Sequence, residues 1–135
     1  FVEIKEPAIT DAVLDILSGF AGRFPSGWLV CGGFDPGVVK QVASAGDWIT
    51  AIQLATDDED YGAAHWLHPG FSLAGLPIRS AKPEVISLLR ARGFRIWFWT
   101  ANSPEEIQKA IELGAEAIIS DFPNRAKLLI DQRFS

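Results

Sequence analysis

In the opening stretch FVEIKEP, Glu3 and Lys5 stand two residues apart, which places them on one face of an extended chain while Val2 and Ile4 take the other. A neighbouring carboxylate and ammonium can pair as ions on a solvated edge strand. Alternatively, the carboxylate can ligate a divalent cation while the ammonium holds a phosphate. Val2 and Ile4 suit packing under helices, so the charged pair is expected to face the interior of a curved sheet or barrel. Isolated charges there are strongly disfavoured unless each has a partner, a metal or a bound anion. The residues alone leave both readings open.

Trp97 and Trp99 form a second pair on one strand face, with Ile96, Phe98 and Thr100 on the other. Core packing is the usual fate of tryptophan, and Trp99, nearer the strand's C-terminal end, is the candidate for lining a pocket. Asp121 closes an apolar run before Phe122 and Pro123; it could ligate directly, support another ligand or cap a helix, and the cap is the preferred reading. His65 and His68 follow the acidic run DDED at 57–60. Histidine with aspartate can bind metal or move protons, but an H-x-x-H without helical context and a solvated acidic loop carry little weight. Cys31 sits in an apolar strand with no base nearby and reads as a buried structural thiol. The Gly32-Gly33 pair fits neither the G-x-G-x-x-G nor the Walker pattern, so dinucleotide and ATP binding are unsupported.

The elements that position these residues repeat one phrase: an apolar strand, a proline, a helical stretch, a glycine, then another apolar strand. In RIWFWTANSPEEIQKAIELGAEAIISD, Ser103 suits the N-cap, Pro104 the first helical position and Glu106 the third residue of a capping box, and Gly114 stops the helix. The same signal runs from Pro83 to Gly93, with Val85, Ile86, Leu88 and Leu89 as the apolar set, and from Asp35 and Pro36 to Gly46. A first helix over about 8–18 carries Ile9, Val13, Ile16 and Leu17, and a last one from about Asn124 carries Leu128, Leu129 and Ile130. Strands are expected at about 1–5, 28–33, 49–54, 95–100 and 117–120. Short apolar strands separated by helices predict a parallel sheet of βα units. Residues 55–82 read as one long irregular connection at the C-terminal edge of the sheet, where α/β sites are built.

Composition narrows the classes further. The 135 residues are 48% hydrophobic and carry a net charge of −5 with no basic run, which argues against nucleic acid as a partner. The single cysteine excludes an intrachain disulfide and a Cys-rich structural zinc site, and leans towards a reducing, cytoplasmic compartment. No stretch approaches the roughly 20 apolar residues of a membrane span. The chain contains no methionine, even at position 1, so processing or omission upstream is expected.

Taken in order, VEIKEP at 2–7, FDP at 34–36, WTAN at 99–102, the LGAEAIISD run and DFP at 121–123 resemble the glycerophosphodiester phosphodiesterase family over nearly the whole chain. The resemblance implies a (β/α)8 TIM barrel of the phospholipase C-like phosphodiesterase type. Residues 1–135 would be a single partial domain, the C-terminal five βα units from the fourth barrel strand onward. In the family a divalent cation, Mg or Ca, and two histidines cleave a glycerophosphodiester to glycerol 3-phosphate and an alcohol. By the same resemblance Glu3 matches a metal-binding glutamate, Lys5 the lysine that contacts phosphate, Trp99 a tryptophan near the substrate pocket and Phe34 an aromatic at a strand end.

There are departures. Gly33 stands where the family usually has serine. The family's upstream His-Arg, Glu-x-Asp and His-Asp motifs do not occur, and His65 and His68 do not match the catalytic histidines. Length agrees, because such a barrel takes about 250 residues. The expectation is an inactive isolated chain whose open sheet edges are covered by missing N-terminal strands or by self-association. The alternatives are a non-catalytic α/β phosphate-binding or assembly module, and another phosphate-handling barrel enzyme such as the phospholipase D-like toxins.

Overall fold

A computed structural model describes residues 1–135. Its elements are β1 (Val2–Glu3), a 3-10 turn (Pro7–Ile9), α1 (Thr10–Ser18), β2 (Val30–Gly33), α2 (Pro36–Ala43), β3 (Thr50–Leu54), α3 (Ala64–Leu67), β4 (Leu73–Pro77), α4 (Pro83–Ala91), β5 (Arg95–Trp99), α5 (Pro104–Glu112), β6 (Ala117–Ile118) and α6 (Pro123–Phe134). Strands follow chain order in the sheet, and the pairings β1–β2, β2–β3 and β5–β6 are parallel, as successive βα units require. By contact density the chain divides into two compact units, Phe1–Leu54 with Asp58–Leu73, and Ala55–Asp57 with Ala74–Ser135. No helix is long and apolar enough to cross a membrane.

In the first unit, register decides which side chains share a face. Val2, Cys31 and Ala51 lie in one row, and Glu3, Gly32 and Ile52 in the next. Ile4, Cys31 and Ala51 pack with Val38, Val39 and Val42 of α2, and Val2 joins them together with Val13, Leu14 and Leu17 of α1. The first row is therefore the helix-covered face, and Glu3 belongs to the opposite one. Asp35 caps α2 by accepting from Val38 N at 3.0 Å, and Pro36 occupies the first turn, as the sequence predicts. On α1 the predicted apolar face is rotated. Leu14 packs inward, whereas Ile16 is 67% exposed.

The second unit keeps the same grammar. Ser103 Oγ accepts from Glu106 N at 3.1 Å while Glu106 Oε2 accepts from Ser103 N at 3.1 Å, which completes the predicted capping box. Gly93 and Gly114 adopt φ of 89° and 74°, the left-handed conformation that ends α4 and α5. Arg90 of α4 donates to Leu113 O at 2.6 Å and to Gly114 O at 2.9 Å, satisfying carbonyls that α5 leaves unpaired. Ile96 and Phe98 of β5 are buried while Trp97 and Trp99 on its other face are half-buried.

Residues 55–82, predicted as one irregular connection, contain α3 and β4, so the structure has six strands where the sequence reading counts five. The missed strand, LAGLP, is buried at every position and so shows no polar alternation, and it carries a glycine and a proline. Leu88 of α4 and Leu128 of α6, predicted as core, are exposed, while Ile86, Leu89 and Ala126 are buried.

Candidate functional site

Glu3 is half-buried on the face of β1–β3 turned away from α1 and α2, and Lys5 is exposed just past the end of β1. They do not pair with each other; none of the ion pairs in the structure involves either residue. The edge-strand ion-pair reading is thereby overturned. β1 is held by register with β2 and by Ile4 N donating to Gly32 O at 2.8 Å. Gly32, the neighbour of Glu3 across the sheet, has no side chain to stand directly beside the carboxylate. The close strand approach requires it, since a Cβ at Gly32 would lie 1.9 Å from Ile52 O. Gly33 is similarly placed against β1, where a Cβ would meet Ile4 O at 2.5 Å.

Phe34 follows β2 directly and is 42% exposed. Its backbone is fixed by a residue the sequence reading did not single out. Gln53 of β3 is 1% exposed, and its Nε2 donates to Phe34 O at 2.9 Å, Leu54 O at 3.0 Å and Gly33 O at 3.3 Å. The Gln53 Oε1 is buried without a hydrogen-bond partner. A polar residue inside the apolar strand TAIQL was the available signal, because a buried amide is retained only where it bonds to something specific.

Trp99 belongs to the second unit. Its indole Nε1 donates to Gly75 O of β4 at 3.1 Å, so strand β4 orients the ring, and the Trp99–Thr100 peptide is cis. Beyond it the chain forms a polar lattice. Asn102 Nδ2 donates to Asp121 Oδ2 at 2.8 Å, and Asn102 Oδ1 accepts from Asp121 N at 2.9 Å and Ser120 Oγ at 3.2 Å. Arg125 donates to Asn102 O at 2.8 Å. Asp121 is thus not the N-cap of α6, contrary to the preferred reading; Phe122 holds that position with no side-chain cap. Two of the motifs that carry the family resemblance, WTAN and DFP, therefore bind each other.

Glu106 anchors the same lattice. Its carboxylate accepts from Arg79 Nε at 2.8 Å and from the backbone N–H groups of Asn102 and Ser103 at 2.9 and 3.1 Å. The Arg79 hydrogen bond, followed by the two backbone donors, holds its pKa down at about 2. Burial raises the Cys31 thiol above its ordinary range, as expected of a packing thiol. No three His, Cys, Asp or Glu side chains converge on a cation-sized site. Glu3 by itself is too few ligands for Mg or Ca, which take six or more oxygens. His65 lies 3.5 Å from Glu59 through Nε2 and His68 is at the end of α3, both on the 58–73 segment of the first unit.

Parallel βα units in chain order, with helices over one face of the strands, define a piece of a (β/α)-barrel. The family model of the glycerophosphoryl diester phosphodiesterase family matches residues 33–125, and the chain belongs to that family. A search of curated proteins finds no match. Among solved structures it is similar to an Oleispira antarctica phosphodiesterase in complex with the product sn-glycerol-3-phosphate, at 15% identity and TM-score 0.75, covering 96% of this chain and 53% of that one. It is also similar to a glycerophosphodiester phosphodiesterase from Thermotoga maritima, at 23% identity and TM-score 0.66 over 97% and 56% of the respective chains. A third, from Parabacteroides distasonis, matches at 14% and 0.72 over 99% and 56%. The chain spans about half the length of each.

Proposed function

We propose that this chain supplies the phosphate-facing part of a glycerophosphodiester phosphodiesterase site, acting in hydrolysis of a glycerophosphodiester to glycerol 3-phosphate and an alcohol. The observation that carries the reading is Glu3 on the face opposite the helices, with Lys5 exposed just past the strand end and neither in an ion pair, in a chain of this family. A solvated ammonium with no carboxylate partner suits a phosphate, and it stabilises charge that accumulates on the phosphoryl oxygens in the transition state. Glu3 would give one oxygen ligand to a divalent cation, Mg or Ca, whose remaining protein ligands come from residues other than these 135; the cation would polarise the phosphoryl group. Phe34, its backbone fixed by Gln53, would line the glycerol or alcohol side.

The test is titration with glycerol 3-phosphate, followed by backbone amide shifts. Shifts confined to residues 2–5 and 32–35 that vanish in Lys5→Ala support the reading; shifts elsewhere, or affinity unchanged in Lys5→Ala, refute it. Glycerophosphocholine with Mg or Ca should show no robust turnover by this chain alone. A second reading, a phosphate-binding module without catalysis, rests on the same exposed Lys5 outside any ion pair. It predicts phosphate binding that survives Glu3→Gln and needs no metal.

A further inference from the structure

We propose that the pocket between α2 and residues 64–71 binds a small anion with an apolar body, such as a carboxylate or phosphate monoester on a short alkyl chain. The pocket measures about 570 Å³, within the usual range for small-molecule sites. Pro36, Ala43 and Phe71 contribute apolar wall, and Lys40, His65 and His68 are the ionisable residues that line it. In a chain of net charge −5, no carboxylate lines this cavity.

The three basic groups are not equivalent. His65 Nε2 is buried without a hydrogen bond, 3.5 Å from Glu59 Oε1, and Glu59 also accepts from Trp66 Nε1 at 2.9 Å. Glu59 is thus the polar neighbour of His65 and is not among the lining residues. Lys40 and His68 take part in no ion pair, so the Lys40 ammonium is uncompensated and the His68 ring is open to a ligand. Lys40 is exposed on α2, whose other face carries the buried Val38, Val39 and Val42, so its side chain contributes nothing to the core. A cation above an apolar wall favours a ligand that is charged at one end and apolar at the other.

Octanoate, octyl phosphate, octanol and inorganic phosphate, titrated separately into the 135-residue chain with amide shifts recorded, test the assignment. Octanoate or octyl phosphate should shift residues 36–44 and 64–71, with octanol and inorganic phosphate at least about tenfold weaker, and the ratio of the first two identifies the headgroup. Lys40→Ala should weaken the anionic amphiphile by about tenfold, the equivalent of one charge-assisted hydrogen bond, and leave octanol unchanged. His68→Gln, which keeps the approximate size and removes the imidazole, should weaken it in the same sense. Absence of shifts, shifts outside these two segments, equal affinity for octanol, or indifference to both substitutions overturns the proposal.

Discussion

Replacing Gln53 by leucine keeps the side-chain volume close to native and removes a buried donor that reaches the carbonyls of Phe34 and Leu54, at 2.9 and 3.0 Å, with a longer contact to Gly33 at 3.3 Å. An NH2 has two hydrogens, so two good bonds and one shared contact are lost. Each good bond is worth roughly 1 kcal/mol net, and desolvation at the carbonyls brings the gross loss to about 3 kcal/mol. Against this, leucine also removes the unpartnered Oε1, which returns on the order of 1 kcal/mol. The expected balance is a loss of about 2 kcal/mol. With a urea m-value of about 1–3 kcal/mol/M for a chain of this size, the midpoint should fall by on the order of 1 M with an unchanged slope. Gln53→Glu should be worse, since it sets a second acceptor against the same carbonyls. Urea titration followed by tryptophan fluorescence measures both. If Gln53→Leu is as stable as the native chain or more so, the amide is a passenger and the account of how Phe34 is held fails.

Three further outcomes are expected. Asn102→Ala removes the side-chain bonds to Asp121 and Ser120 and should lower stability by about 1–2 kcal/mol in chemical denaturation, with raised hydrogen exchange at Asp121 and Phe122. Glu106, with its pKa held at about 2, contributes stability that is full above the ordinary carboxylate range near 4.5 and is lost as pH falls towards 2. Glu106→Gln should flatten the acid limb of the stability profile in that window, while an unaltered limb would assign acid unfolding to other carboxylates. Trp66→Ala empties a fully buried site and should cost about 3–5 kcal/mol by thermal or urea unfolding, with a smaller loss for Trp66→Phe.

What could be read from the sequence was what local chemistry determines. Asp35, Ser103 and Glu106 cap helices whichever partners the helices find, and Gly93 and Gly114 end them because only glycine adopts those φ values without strain. The alternation of Glu3 and Lys5 against Val2 and Ile4 follows from strand geometry alone. What stayed hidden depends on contacts distant in the chain. Strand β4 is recognisable only once its neighbours bury both faces. Ile16 and Leu14 of α1 exchange roles because the helix packs at a rotation that spacing leaves undetermined. Asp121 prefers an asparagine 19 residues earlier to the helix beginning just after it, and Gln53 reaches back 19 residues to Phe34.

Position 33 shows how far a single site can be bound to its surroundings. The family resemblance leads one to expect serine there, and the hydroxyl looks like a small loss that one substitution could restore. Yet the first carbon of any side chain at Gly33 would be driven into the backbone oxygen of Ile4, 2.5 Å away, on the strand that carries Glu3 and Lys5. The rest of β2 gives no slack, because Gly32 is pressed as tightly against Ile52 on the other side. Glycine at 33 and the seating of β1 are therefore linked, and a side chain at 33 requires the backbone at Ile4 to move.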